Sequence, residues 1–205
     1  MKKYELTSEV IKYKGHILHR IKALKDFNSV KAGELGGWIE NENNLSQDGT
    51  AWVYDNSMVY DNAIVSDNAW VCFSSKVYDD ANVCDNAIIQ NHARVFGSSL
   101  VCDNANISHY AMICGYAEVC GNAEIRNAKV HDDKDYIVFK NFWSSGRYFT
   151  WTRSNNEWSA GCFHGTGEEL IKKAYVDSEK SGKEYERVVR YVESILADEK
   201  KEREK

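Results

Sequence analysis

Proline is absent from all 205 residues, where a chain of this length would ordinarily carry about ten. Proline cannot donate an N–H to a ladder, so its exclusion points to a backbone in which nearly every N–H is used. Long apolar runs are missing too. None approaches the roughly 18 residues of a membrane span, and the opening MKKYELTSEV has no apolar core behind its lysines. Neither membrane insertion nor secretion is therefore expected. The six cysteines stand at spacings that match no metal motif. Without an export signal they read as small thiols of a cytoplasmic protein, with no metal and no cofactor expected. A 43% hydrophobic and 12% aromatic composition with net charge −5 excludes a disordered chain.

What the sequence has is a strict period of six. Stepping by six from Val53 meets Val59, Val65, Val71, Val77, Val83, Ile89, Val95, Val101, Ile107, Ile113, Val119 and Ile125, all β-branched aliphatics. Four residues after each of the first twelve stands Ala or Ser, from Ser57 and Ala63 to Ala123. Between them lie turn residues, mostly Asp-Asn or Gly-Asn, which tolerate left-handed backbone and form Asx turns. Each hexapeptide is thus one short strand and one corner, its aliphatic pointing inward and its neighbours outward. The pattern resembles the left-handed β-helix of hexapeptide-repeat proteins, in which three hexapeptides complete one triangular coil. The resemblance implies residues 53–130 as a prism of about four coils that stacks every eighteenth residue.

That stacking sorts the outward residues into columns. One runs Tyr60, Tyr78, Phe96, Cys114, a second Ser66, Cys84, Cys102, Cys120, and a third Trp52, Trp70, Ile88, Asn106, Glu124. Outward positions on a wet sheet should be polar, so the aromatics require a cover, either a flanking segment or a second copy. Self-association, with threefold symmetry as one option, is the favoured expectation. All the net charge lies within the repeats, with nine acids against four bases in 53–130. No direct nucleic-acid binding is expected from so acidic a prism.

The flanks read as separate segments. Residues 1–52 carry a β-like stretch around His16–Ile21 and a Gly36-Gly37-Trp38-Ile39 lead-in, and are expected to form an N-terminal β cap. Residues 131–205 are expected to hold a β-meander, Tyr136–Phe139, Tyr148–Arg153 and Trp158–Phe163, and two helices. Thr166 with Glu169 and Ser181 with Glu184 fit capping boxes, and the final DEKKEREK reads as a solvated tail.

The stretch from Ile21 to Asn56 resembles the entry segment of bacterial, phage and prophage β-helix proteins of the YdcK or polymer-forming type. It does so through Ala23-Leu24, Asp26-Phe27, Val30-Lys31-Ala32-Gly33, Gly36-Gly37-Trp38-Ile39, Asn44-Leu45-Ser46 and Trp52-Val53-Tyr54-Asp55-Asn56. The resemblance implies fold more than activity. The leading expectation is a non-catalytic binding or scaffold protein, phage- or prophage-related, that self-associates through the β-helix. The alternatives are a phage counter-defence protein engaging a host protein or small ligand, and a hexapeptide acyltransferase. The last is disfavoured by the unbroken period and the absence of the proline-containing tail of such enzymes.

Candidate binding residues are the column Tyr60, Tyr78, Phe96 and the meander residues Trp143, Trp151, Arg153, Trp158 and His164, which could stack on a base, sugar or peptide unless they form the meander's own core. His92 and His109 could serve acyl transfer as general bases, but at corners they more simply replace Asn. Cys162 with His164 would suit a nucleophile pair but lacks an orienting acid. The Cys84, Cys102, Cys120 column reads as small side chains rather than disulfides. The Asp67, Asp85, Asp103 column reads first as turn chemistry, with cation binding or phosphate mimicry as alternatives.

Overall fold

The computed structural model describes residues 2–204. They form two compact units, residues 2–137 with Thr152–Asn155, and Val138–Trp151 with residues 156–204. The first is a β-helix of about five coils. Its inward aliphatics, Val53 through Ile125 and then Val130, are fully buried. The Ala and Ser corners beside them are closed to solvent as well, because only a small side chain fits where the chain turns.

Three parallel faces stack at eighteen-residue intervals, as in Trp70↔Ile88↔Asn106, Lys76↔Arg94↔Met112 and Asn82↔Leu100↔Glu118. The N–H groups beside each inward aliphatic donate to the next coil, Trp70 N to Ala87 O at 2.9 Å and Cys72 N to Ile89 O at 2.8 Å. A proline at any such rung would remove a bond, which accounts for its exclusion.

The prism starts earlier than its strict period. Strand β3 (Leu35–Ile39) pairs in parallel with Met58–Val59 through Trp38↔Met58 and Ile39↔Val59, and Leu45 bridges Val65. This coil is offset by twenty residues instead of eighteen, so a six-step scan passes over it. Gly37 is obligatory there, because a Cβ would meet Ser57 O and Val53 Cγ1 at 2.7 Å. The buried Asn44 replaces missing rungs: its Nδ2 donates to Asp61 O and Ala63 O at 2.9 Å. At the other end Lys129–Val130 pairs with Met112–Ile113 at an offset of seventeen, with Asn127 absorbing the shortfall at φ 51°.

Strands β1 (Tyr4–Tyr13) and β2 (His16–Ala23) form an antiparallel hairpin that joins β3 and extends that face to eight strands, the expected N-terminal β cap. Lys3, fully buried, plugs the coil beneath, its Nζ donating to Asp48 O at 3.1 Å and Ala51 O at 3.0 Å.

The second unit carries a four-stranded sheet and two helices, α1 (Gly167–Asp177) and α2 (Glu179–Arg203). The expected third meander strand is two, Glu157–Ala160 and Phe163–Gly165, because Gly161 turns the chain at φ 64°. Thr166 and Glu169 form the expected capping box. The second helix starts earlier than expected: Ser178 caps it by accepting from Ser181 N at 3.1 Å, which places Ser181 inside the first turn. It also runs on through the charged segment read as a tail, which is helical to Arg203.

Candidate functional site

Every third corner of the prism stacks into a column, and the corner residue of each hexapeptide is left-handed, with φ between 53° and 63° at Asp55, Asp61, Asp67, Phe73, Asp79, Asp85, Asn91, Asp103 and His109. The aspartates do more than tolerate this geometry. Asp67 Oδ2 accepts from Asp85 N at 3.4 Å, Asp85 Oδ2 from Asp103 N at 3.2 Å, and Asp103 Oδ2 from Gly121 N at 2.9 Å. Asp61 and Asp79 do the same for Asp79 N and Gly97 N at 3.3 and 3.0 Å. The acidic column is therefore an interlock in which each carboxylate closes the corner of the following coil.

One corner breaks the rule. Phe73 holds φ 63° with 54% of its surface exposed, in a column that otherwise runs Asp55, Asn91, His109, Asn127. Left-handed backbone is disfavoured for a bulky side chain by about 1–2 kcal/mol. Phe73 stands at the edge of a groove of about 340 Å³ whose walls also include Ser29, Tyr54, Asp55, Trp70, Cys72, Ile88 and Gln90. A second hollow of about 200 Å³ continues it on the far side of Trp70 and Ile88, reaching Asn28, Asn68 and Asn86.

The groove follows from the local fold. On the Trp52 column the first ring is covered: Phe27 meets Trp52 edge-on at 5.3 Å and Tyr4 at 6.1 Å. The tight turn that brings Phe27 there, closed by mutual bonds of Phe27 and Val30 at 3.1 and 2.9 Å, leaves its tip, Asn28-Ser29, overhanging the next coils. Trp70 and Ile88 thus stay half-buried below it. Tyr54 stands edge-on to Trp70 at 5.7 Å and 65°. Gln90 Nε2 is committed to Asn106 Oδ1 at 2.9 Å. Burial, with Glu34, Cys72 and Asp55 adding, holds the Tyr54 phenol above its ordinary range, while a bond with Ser29 opposes. Burial and then Asp55 push the Cys72 thiol up to about 11, so Cys72 is a neutral lining group rather than a nucleophile.

Most of the residues singled out from sequence lie elsewhere. Tyr60, Tyr78 and Phe96 do stack, with centroids 5.2 and 5.0 Å apart and rings within 1° of parallel. The cover they required is supplied in cis at one end: Tyr60 is 2% exposed beneath Tyr13 and His16, and Lys14 Nζ lies 6.0 Å from the Tyr78 centroid. His16 is held between Glu40 Oε1 at 3.1 Å and Asp61 Oδ1 at 3.6 Å, pinning the hairpin to the prism.

Trp151 and Trp158 are buried in the core of the second unit, where Trp158 packs on Phe149 and Phe139 and Trp151 Nε1 donates to Asn156 Oδ1 at 2.9 Å. They cannot present faces to a ligand. Trp143 packs edge-on against Tyr185 at 5.2 Å, and His164 Nδ1 meets Ser159 Oγ at 3.1 Å across the strand pair. Arg153 Nε donates to Lys134 O at 3.1 Å beside the Asp135 carboxylate. His92 stacks on Tyr110 at 5.1 Å, and His109 Nδ1 meets Ser108 Oγ at 3.1 Å. Burial, and then Arg126, holds the His109 ring below the ordinary histidine range.

The cysteine column corrects the reading of it as plain thiols. Cys102 and Cys120 are joined in a disulfide at a Cα separation of 4.8 Å. Stacked positions of a parallel ladder, which the expectation judged unsuited to bridging, do bring these two Cβ vectors within reach. Cys84, one coil before, remains free.

The groove was not found from the sequence, although a signal for it existed: Phe73 is the one aromatic among corner residues that are otherwise Asp, Asn, His or Gly. No family model matches the chain. A stretch of 77 residues is 39% identical to a protein of Escherichia coli (strain K12) described as the uncharacterized acetyltransferase YdcK, covering 33% of this chain and 24% of that protein. The matched part therefore spans about a quarter of the relative's length. With eighteen-residue stacking on all three faces and this partial relative, the chain fits the hexapeptide-repeat β-helix family.

Proposed function

We propose that the protein is a non-catalytic binding protein whose working surface is the groove over Trp70 and Ile88. The observation that carries this reading is Phe73, a half-exposed aromatic kept in a backbone conformation that suits it poorly. Departures from a local rule that are maintained against a cost concentrate where a ligand is met. The groove is concave and mainly apolar with a few polar groups on its walls, which is the usual composition of a small-ligand site. The resemblance to phage and prophage β-helix proteins supports a role in holding a ligand or factor of the host.

The test is a ligand-observed NMR screen of a fragment library against the wild type and Phe73→Asn, which keeps a left-handed corner without adding charge. Fragments that compete for one site and lose binding in Phe73→Asn are the expected result. Hits that are indifferent to Phe73 and to Trp70→Leu would overturn the groove as the working surface.

A second reading, acyl transfer, is favoured by the description of the Escherichia coli relative as an acetyltransferase. Saturable binding of acetyl-CoA would carry it.

A further inference from the structure

The groove's chemistry points to a class of ligand, an inference that rests on the groove being the binding surface. We propose that it takes an organic cation, an alkylammonium or guanidinium group, held against aromatic faces beside a carboxylate. Three aromatic side chains line one hollow, Tyr54, Trp70 and Phe73. Tyr54 and Trp70 stand at 65° to each other, so their π faces are turned in different directions rather than forming one flat wall. A cation set against such rings is attracted by their quadrupoles, most strongly by Trp, and more so as the site excludes water.

The polar lining has the matching sign. Its polar members are Asp55, Ser29, Tyr54, Gln90 and the neutral Cys72, with no Lys or Arg among the lining residues. Gln90 donates one of its two amide N–H groups to Asn106 at 2.9 Å, which keeps its oxygen and one N–H for a ligand. Arg20 donates to the Asp55 backbone carbonyl at 3.3 Å while its guanidinium lies over Trp38 at 4.9 Å, and it is not among the groove's lining residues. Among the described residues, the Asp55 carboxylate accepts one backbone N–H, from Phe73 at 3.2 Å. An anionic ligand would face this carboxylate unpaired. A neutral apolar ligand would cover it without compensating its charge. A cation satisfies the carboxylate and the π faces together.

Phe73 fits this account. An Asp at that corner would supply a further charge but no ring. The aromatic instead adds a third wall beside the Asp55 carboxylate.

The experiment compares isosteres that differ only in charge. Choline is titrated against 3,3-dimethylbutanol, and argininamide against citrullinamide, the latter two Nα-acetylated so that no α-ammonium remains, by calorimetry and tryptophan fluorescence on the full chain. Saturable binding of choline or argininamide is expected, with at least a tenfold loss for its neutral partner. A fivefold or greater loss is expected in Asp55→Asn, whose amide oxygen still accepts from Phe73 N.

Equal binding of charged and neutral partners would overturn the cation class while leaving the groove as a site. So would the absence of binding by either cation up to 10 mM. The fragment screen reads the groove separately, since neutral hits that depend on Trp70 keep the site and remove only the cation. The wild-type contrast between isosteres needs no variant, so a folding defect in a mutant does not decide the outcome.

Discussion

Asp55 Oδ2 accepts the backbone N–H of Phe73 at 3.2 Å, yet Phe73 has no carboxylate to pass the bond on to the corner of the next coil at Asn91. The interlock that runs unbroken through Asp67, Asp85 and Asp103 stops here after one link. A side chain placed for folding alone would have continued it, so the break marks the point where stability and surface chemistry diverge.

Phe73→Asp should therefore stabilise the protein. It relieves a bulky left-handed corner and adds an acceptor for the Asn91 N–H, together worth about 2 kcal/mol. Urea unfolding should show a higher midpoint with an unchanged slope. A lower midpoint would mean that Phe73 packs in the fold itself.

Val83 and Val101 are fully buried in the prism, whereas Asn82, one residue from Val83, is exposed. Val83→Asp or Val101→Asp places an unpaired carboxylate in a dry interior at a cost of several kcal/mol. Either should abolish cooperative unfolding, followed by circular dichroism. Asn82→Asp should melt within a few degrees of the wild type, and equal tolerance of both changes would contradict the stacking.

The prism was legible because one side-chain identity recurs at a fixed step, and the interior has room for nothing but a β-branched aliphatic and a small corner residue. Its first coil was not, since Ile39 and Leu45 reach Val59 and Val65 across twenty residues with Asn44 in place of a strand. The aromatic column was read correctly as a stack, but its cover was unreadable. Whether Tyr60 meets Tyr13 and His16 or a second copy depends on where the hairpin folds, and periodicity carries no information about that. In the second unit, alternation alone could not say which aromatics face inward, and Trp151 and Trp158 proved to be core. The groove needs both the overhanging Asn28-Ser29 turn and the exception at Phe73, only the second of which is written in the repeat.

Lys3 should give the stability curve a distinct alkaline feature. Burial, with the Lys25 charge adding and Asp48 opposing, lowers its ammonium to about 8. Below pH 8 both folded and unfolded chains hold the proton. From about pH 8 towards 10 the unfolded chain still holds it and the folded chain releases it, so Lys3 contributes increasing stability as pH rises. The buried Tyr4 and Tyr60 phenols, and the Cys72 and Cys84 thiols raised to about 11, act in the opposite sense at higher pH. The difference between wild type and Lys3→Met isolates the lysine. It should grow by on the order of 2 kcal/mol between pH 8 and 10, and a difference independent of pH would show that the ammonium is solvated.

The cysteine column makes a countable prediction. With Cys102 and Cys120 bridged and Cys72, Cys84, Cys114 and Cys162 free, alkylation in denaturant without reductant should add four labels by mass, and six after reduction. Six labels in both samples would return the column to plain thiols.

A general base for acyl transfer needs a ring within reach of the acceptor and a partner that orients it. Of the two histidines inside the repeats, His92 is exposed and stacked on Tyr110, while His109 faces the hydroxyl of its own neighbour Ser108. Among the described residues no carboxylate is hydrogen-bonded to either ring. Titration with acetyl-CoA to millimolar concentration should therefore give no saturable heat, and His92→Ala and His109→Ala should leave melting and fragment binding unchanged. Saturable binding of acetyl-CoA that either substitution destroys would reverse this, because it would place the cofactor against a corner histidine and move the working surface from the Trp70 groove to the His92 corner column.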